Sequence, residues 1–148
     1  MTDNTVQTIE IDSPPEAIFA VAADVAAYPE WATGIRSTEV LETDDRGRPL
    51  RARFVVDGMV KEITYTLRYT YDEPHSISWE AEPGPDIEEM EGSYTFTEIA
   101  PGRTEVVYAL RAVPAFTIPG FLRRQVEKQI VGTALRGLRR RVEEIGGT

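Results

Sequence analysis

The chain has 148 residues, no cysteine and a formal net charge of −9 at pH 7. Its length predicts one domain over residues 1–148 with a sizeable core. Without cysteine, disulfides, thiolate metal sites and cysteine nucleophiles are excluded. The N-terminus lacks the basic and apolar parts of a secretion signal, and the longest uncharged apolar run, Ala17 to Ala23, is too short to cross a membrane. We therefore expect a cytoplasmic protein.

The charge is unevenly distributed along the chain. Residues 1–118 contain 22 acidic and 9 basic side chains, a net −13, whereas residues 119–148 contain 3 and 7, a net +4. Because an acidic surface repels nucleic acid, no nucleic-acid partner is expected. The run Arg139–Arg141 has the charge to contact phosphate or an anionic membrane, but such runs are more typical of the solvated face of a helix, which is our interpretation.

Two short helices are predicted after a first strand. Short alternation over Thr5 to Ile11 indicates the strand. Ser13 followed three residues later by Glu16, with proline between them, predicts a capping box that starts the first helix. A second start follows almost at once, where Tyr28 and Trp31 are three residues apart and share one side of a brief helix.

From Arg36 onward the pattern predicts six strands joined by short turns. The clearest strand places Ile63, Tyr65, Leu67, Tyr69 and Tyr71 on one face. Asp-Gly at positions 57 and 58 predicts a two-residue hairpin. The other residues predicted on the same inner face are Leu50, Ala52, Phe54, Val56, Ile77, Trp79, Ala81, Met90, Gly92, Tyr94, Phe96, Val106, Tyr108 and Leu110. The charged residues predicted on the outer face are Arg51, Arg53, Arg68, Glu80, Glu89 and Glu91.

A long helix is predicted from Pro119 to Ile145, with proline suited to its first turn and Gly146 to its end. Its second half carries one apolar stripe, formed by Val131, Leu135, Leu138, Val142 and Ile145. Its first half carries another stripe, rotated from the first, formed by Leu122, Val126 and Ile130 with Gln125, Gln129 and Thr133 alongside. We interpret one half as packed on the sheet and the other as covering a less filled space. A straight helix that crosses a curved sheet also changes its contact face, and that explanation needs no cavity.

This order of elements predicts an α+β fold in which a seven-stranded curved antiparallel sheet wraps around the long C-terminal helix. One face of the strands is aromatic and the other polar, so the sheet is covered on one side only. Only the long helix is large enough to cover it, and a sheet that curves around a helix leaves room at one end.

The sequence D-V-A-A-Y-P-E-W, Asp24 to Trp31, resembles the START-like superfamily and its helix-grip (START/Bet v 1-like) fold. The resemblance extends over essentially the full chain and is most specific over Ala22 to Glu42. Glu91–Tyr94, Gly102–Val106 and the terminal helix resemble the polyketide cyclase/dehydrase and lipid transport branch. The resemblance implies a deep, largely apolar pocket between sheet and helix that holds a lipid, polyketide, quinone, sterol or similar molecule.

Few residues offer catalytic chemistry. The single histidine, His75, follows Asp-Glu-Pro in a turn, where side chains are usually exposed. With no cysteine and one histidine, no metal site and no cofactor are expected. The inner face instead carries four tyrosines across from glutamine and threonine, which puts many polar atoms where a dry core has none. An apolar pocket with a few hydrogen-bonding groups fits this pattern better.

We therefore predict a non-catalytic carrier or sequestering protein for a hydrophobic small molecule. The residues predicted to contact this ligand are Trp31, Phe54, Ile63, Tyr65, Leu67, Trp79, Met90, Tyr94, Tyr108, Val126, Gln129, Ile130 and Thr133. One alternative is an aromatase/cyclase-like enzyme in which Tyr65 or Tyr94 polarises a carbonyl, although no inward base is found. A second alternative is a protein-interaction module with a filled core. The apolar connection Val113–Phe121 is interpreted as a lid, a segment that contacts membrane transiently, or a packed corner.

Overall fold

The computed structural model describes residues 5–57 and 61–146 and confirms the predicted order of elements. The strands are β1 (Thr5–Ile11), β2 (Ile35–Thr43), β3 (Pro49–Asp57), β4 (Glu62–Asp72), β5 (Ser76–Ala81), β6 (Ile87–Ala100) and β7 (Arg103–Pro114). The helices are α1 (Pro15–Ala23), α2 (Tyr28–Trp31) and α3 (Gly120–Gly146), with a single 3-10 turn at Val25–Ala27. No helix in the described residues is long and apolar enough to cross a membrane.

The seven strands form one antiparallel sheet in the order β1-β7-β6-β5-β4-β3-β2. Strands β2 to β7 follow one another as a meander, and β1 joins the sheet beside β7. The predicted hairpin at Asp57 and Gly58 lies partly outside the described residues, because Gly58 is not among them. The α+β helix-grip architecture is therefore the one that the sequence predicts.

The pairing register places the predicted inner residues on one face. Phe54 is opposite Tyr65, Trp79 is opposite Gly92, and Tyr94 is opposite Tyr108. A cross-strand row of charged residues confirms the outer face and runs through Arg51, Arg68, Glu80, Glu91 and Arg111. The inner face is covered by α3, α1 and α2, and the aromatic core lies between them and the sheet.

Three local predictions are wrong. The capping box does not form, because Pro14 occupies the cap of α1 without a side-chain bond, while the carbonyl of Ser13 accepts a hydrogen bond from Thr104 Oγ1 at 2.7 Å. Leu50 is exposed rather than inward, because the β2–β3 register shifts where Glu42 pairs with Arg51. Ile145 is also exposed, since the burial of its stripe ends one turn earlier at Val142.

The second half of α3 packs tightly, as predicted. Val131, Leu135, Leu138 and Val142 are all buried, and the helix contacts β1, β7 and α1. A Cβ atom at Gly137 would lie 3.4 Å from the Trp31 ring, so glycine lets α2 approach closely. This contact joins α2 to the tightly packed half of α3, which α1 also contacts.

Candidate functional site

The predicted ligand-contacting residues divide into three groups by exposure. Buried ones are Trp31, Phe54, Leu67, Trp79, Tyr94 and Tyr108. Half-buried ones are Ile63, Tyr65, Met90, Val126 and Thr133. Gln129 and Ile130 are exposed, and Ile130 shows 46% of its surface. The structure thus brings the strand residues together on the inner face, whereas Gln129 and Ile130 are exposed to solvent.

The inner face is a continuous set of aromatic rings. Trp79 contacts Tyr94 and Tyr108 with centroid separations of 5.4 and 5.5 Å, and these two tyrosines pack edge to face at 4.6 Å. Phe54 stacks on Tyr65 at 5.4 Å. Aromatic contacts at such distances stabilise beyond their buried area, so these rings are held in place by one another.

Trp79 is additionally held by a glycine on the next strand. A Cβ atom added to Gly92 would lie 2.6 Å from carbon atoms of the Trp79 ring. Such a distance is well inside van der Waals contact. Glycine at this inward position is therefore what allows the indole to lie against β6.

Two of the six tyrosine hydroxyls are satisfied by the protein. Tyr28 donates to the carbonyl of Ala22, and Tyr71 donates to the carbonyl of Pro49. Both carbonyls belong to neighbouring parts of the fold, so these two hydroxyls have a structural role. No such carbonyl partner is found for the hydroxyls of Tyr65, Tyr69, Tyr94 and Tyr108.

Within residues 5–57 and 61–146, the hydroxyls of Tyr65, Tyr69, Tyr94 and Tyr108 make no hydrogen bond. In the same part of the chain, Arg123 Nε is the side-chain nitrogen or oxygen that is fully shielded from solvent and has no hydrogen-bond partner. None of the tyrosine oxygens is both fully shielded and without a partner. The four hydroxyls therefore lack partners but still border space that a water molecule can reach. All four residues belong to the aromatic core or pack against it.

Burial raises the pKa of all four of these tyrosines, and neighbouring tyrosines raise the pKa of Tyr69, Tyr94 and Tyr108 further. Burial removes the water that would hydrate the phenolate, which disfavours the charged form. Each hydroxyl therefore stays protonated at neutral pH. It can donate a hydrogen bond to an oxygen of a bound molecule.

The first half of α3 differs from the second in its packing. Along its apolar stripe, Leu122 is 41% exposed, Val126 is half-buried and Ile130 is exposed. These residues are spaced by four and share one side of the helix. This stripe is only partly covered, as expected of a helix side that borders an incompletely filled space.

Glu127 is a buried charged residue that our sequence analysis missed. Its side chain is buried, and its two oxygens accept hydrogen bonds from Thr5 Oγ1 at 3.0 Å and from the Ala112 N–H at 2.9 Å. Ala112 lies beyond the last described β1–β7 pair, Thr5 with Leu110. Glu127 thus joins the first half of α3 to the sheet edge. Glu127 lies on the same side of α3 as the buried Val131, and this spacing is the signal in the sequence that could have indicated its burial.

The outer face carries a separate depression of about 810 Å³. It is bordered mainly by polar and charged residues such as Arg51, Arg68 and Glu80, and Tyr69 and Trp79 also border it. Arg51 is already paired there with Glu82 at 2.6 Å. In the described residues no group of three His, Cys, Asp or Glu side chains is arranged to hold a metal ion.

A family model described as "Polyketide cyclase / dehydrase and lipid transport" matches residues 2–143. The chain belongs to this family. No curated protein matches the chain, but many solved structures share its fold. The resemblance stated from the sequence is therefore confirmed at the level of family and fold.

Three solved structures illustrate the shared fold. A START superfamily protein from Mycobacterium smegmatis has a TM-score of 0.88 at 21% identity, covering 96% of this chain and 98% of its own. The Zhui aromatase/cyclase from Streptomyces sp. R1128 has a TM-score of 0.79 at 20% identity, with 95% and 93% covered. A Deinococcus radiodurans protein has a TM-score of 0.65 at 28% identity, with 99% and 100% covered.

Proposed function

We propose that this protein binds a hydrophobic small molecule between the inner face of the sheet and the first half of α3, as a carrier or sequestering protein. The observation that carries the proposal is the set of four tyrosine hydroxyls that lack protein partners and border water-accessible space. A buried polar group without a partner costs free energy. A ligand oxygen or a water molecule at these hydroxyls removes that cost.

The chemistry of the surroundings limits the class of ligand. The proposed walls are aromatic and aliphatic, from the core residues Phe54, Leu67 and Trp79 and from half-buried Val126, and the polar contribution would come from neutral hydroxyl donors. An apolar body with a few carbonyl or hydroxyl oxygens fits such a site. Lipids, polyketides and quinones have this composition, and the family description includes both polyketide chemistry and lipid transport.

Binding is favoured over catalysis because the described site offers donors without a base. The raised pKa of Tyr65 and Tyr94 suits them to polarise a carbonyl but not to remove a proton at neutral pH. His75 is exposed in its turn, and both oxygens of Glu127 already accept hydrogen bonds. The cyclase-like alternative for Tyr65 and Tyr94 therefore needs a proton acceptor brought by the substrate or by water.

Val126→Trp is expected to abolish binding of an apolar probe because the indole would occupy the space beside the half-buried stripe of α3. The probe is anilinonaphthalene sulfonate, whose fluorescence reports transfer into an apolar site. Wild type should bind about one probe per chain. The matched control is Ile99→Trp, which adds the same ring at an exposed position of β6.

Equal binding by wild type and Val126→Trp would contradict the proposal, as would the absence of binding by wild type. The second outcome would favour the protein-interaction module with a filled core. A pair of tyrosine variants refines the test. Tyr94→Phe should weaken binding of an oxygen-bearing probe by about fivefold, the worth of one hydrogen bond, whereas Tyr71→Phe should leave binding unchanged because its hydroxyl is used by Pro49.

A further inference from the structure

One arginine near the beginning of α3 has a polar atom without a partner. Arg123 is half-buried, and its Nε is fully shielded from solvent without a hydrogen bond. Within residues 5–57 and 61–146, no other side-chain nitrogen or oxygen has both properties. A shielded donor without an acceptor costs free energy, and the cost is larger when the group is charged. The fold therefore keeps at Arg123 an unfavourable arrangement that an added acceptor would relieve.

The nearest acidic residue on the same side of α3 is already used. Arg123 and Glu127 are four residues apart, which is the spacing of a helical ion pair. Both oxygens of Glu127 instead accept hydrogen bonds from other elements, at 3.0 Å from Thr5 Oγ1 and at 2.9 Å from the Ala112 N–H. Among the described residues no ion pair of Arg123 is found. The guanidinium is therefore left without a carboxylate of its own.

Arg123 lies on the side of α3 that is turned toward the sheet. Val126 and Glu127, three and four residues later, are half-buried and buried. The Glu127 hydrogen bond fixes this side against Ala112, which pairs with Met90 on β6, and Met90 packs against the aromatic core. Arg123 lies about 6 Å along the helix from Glu127. It is therefore placed at the outer end of the space between α3 and the inner face.

We propose that Arg123 binds the acidic group of an amphipathic ligand, a carboxylate at the end of an apolar body. This inference rests on the proposed function, because it assigns the class of ligand for the same site. The apolar body lies along the aromatic inner face, and the carboxylate lies at the outer end beside Arg123. The Nε–H and a neighbouring Nη–H of arginine form a fork that matches the two oxygens of a carboxylate. A rotation of the half-buried side chain turns this fork toward the ligand.

Arg123 and the tyrosine hydroxyls select for different properties of a ligand. A neutral hydroxyl donates to a carbonyl or to another hydroxyl, so it does not require an acid. The guanidinium is always charged, and its hydrogen bond to a carboxylate is about twice as strong as one between neutral groups. A partly buried pair is also screened less by salt than an exposed one. Arg123 should therefore favour an acid over the alcohol that has the same apolar body.

The test compares dodecanoate with dodecanol, which share one apolar chain, by displacement of the neutral fluorescent probe N-phenylnaphthylamine from the full chain. Arg123→Met keeps the length of the side chain and removes its charge and its donors. It should weaken dodecanoate binding by about tenfold or more, the worth of one hydrogen bond to a charged group. Dodecanol binding should change by less than about twofold, because an alcohol gains no charge-assisted bond. Arg123→Lys keeps the charge without the fork and should recover part of the loss.

Arg136→Met is the matched control. It removes one arginine from an exposed position of α3, about 20 Å further along the helix, so both variants have the same net charge. It should bind dodecanoate and dodecanol as wild type does. Circular dichroism and retained binding of the neutral probe check that each variant is folded.

The outcomes separate this inference from the proposed function. Equal losses of dodecanoate and dodecanol in Arg123→Met would overturn the role of Arg123, as would dodecanoate binding that Arg123→Met leaves unchanged. Wild type still binds an apolar molecule in both cases, so the proposed function stands. An equal loss of dodecanoate in Arg136→Met would assign the effect to overall charge and would also overturn the inference. Wild type that binds neither the probe nor either molecule would overturn the inference and the proposed function together.

Discussion

We expect that no tyrosine of the folded protein titrates near pH 10, and that the protein unfolds as the pH is raised above that value. The chain contains six tyrosines, and burial raises the pKa of every one of them above the ordinary 10.0. Neighbouring tyrosines add to the shift for Tyr28 and Tyr69. No tyrosine with an unshifted pKa is therefore present to add its own absorbance change near pH 10.

The sign of the effect follows from proton binding. Above pH 10 the unfolded chain releases the tyrosine protons while the folded chain retains them, so the unfolded state gains stability as the pH rises. Stability from these groups is complete below pH 10 and is lost between that value and the higher pKa of the folded state. In this range each tyrosine lowers the free energy of unfolding by about 1.4 kcal/mol per pH unit. For the four buried tyrosines, Tyr28, Tyr69, Tyr94 and Tyr108, the loss at pH 11 is about 6 kcal/mol, which is comparable to the whole stability of a typical domain.

The measurement is tyrosinate absorbance together with circular dichroism during alkaline titration. Both signals should change in one step above pH 10. The chain unfolded in guanidinium provides the reference and should titrate near pH 10. Ionisation of several tyrosines near pH 10 with the folded signal intact would contradict the account, because it would mean that the hydroxyls face bulk water.

Gly92→Ala is expected to destabilise the protein by about 3 kcal/mol, the upper part of the range for overpacking a core. The new methyl group would lie 2.6 Å from carbon atoms of the Trp79 ring. The ring has little freedom to move away, because Tyr94 and Tyr108 pack against it at 5.4 and 5.5 Å. Urea unfolding followed by circular dichroism gives the free energy of unfolding of each variant.

Gly84→Ala is the matched control for Gly92→Ala. The nearest atom to a Cβ at Gly84 is a backbone oxygen at 3.9 Å, so its stability should change by less than about 0.5 kcal/mol. A double-mutant cycle with Trp79→Phe isolates the contact, since the smaller ring should relieve part of the Gly92→Ala cost. If Gly92→Ala is as stable as wild type, the indole does not lie against β6 in solution.

The parts of the fold that the sequence predicts well are those with strict periodicity. The alternation from Ile63 to Tyr71 and the stripe from Val131 to Val142 each repeat at the spacing of their element, so the buried face follows directly. Leu50 departs from the alternation because the register between β2 and β3 shifts near it. Such a shift depends on both strands, so the sequence of β3 alone does not predict it. The capping motif at Ser13 fails because Pro14 occupies the cap of α1 and the Ser13 N–H donates to the Ile11 carbonyl at 2.9 Å instead.

The candidate site is less predictable for a related reason. Strand parity places Tyr65, Tyr94 and Tyr108 on the inner face, but it does not say which hydroxyls find protein partners. Tyr71 shares the face of Tyr65, but its hydroxyl donates to the carbonyl of Pro49 on β3, a contact that parity alone does not predict. Glu127 was missed because its partners, Thr5 and Ala112, lie on two different strands at the sheet edge.

Native mass spectrometry of the protein purified from its own organism measures whether the interior holds a bound molecule. We expect a complex of one chain with one apolar molecule that is extractable by organic solvent, and we expect no such complex from Val126→Trp prepared in the same way. The opposite result is a wild-type spectrum of the bare chain that does not change when lipid or quinone extracts of that organism are added. Such a spectrum would mean that the aromatic interior admits no guest.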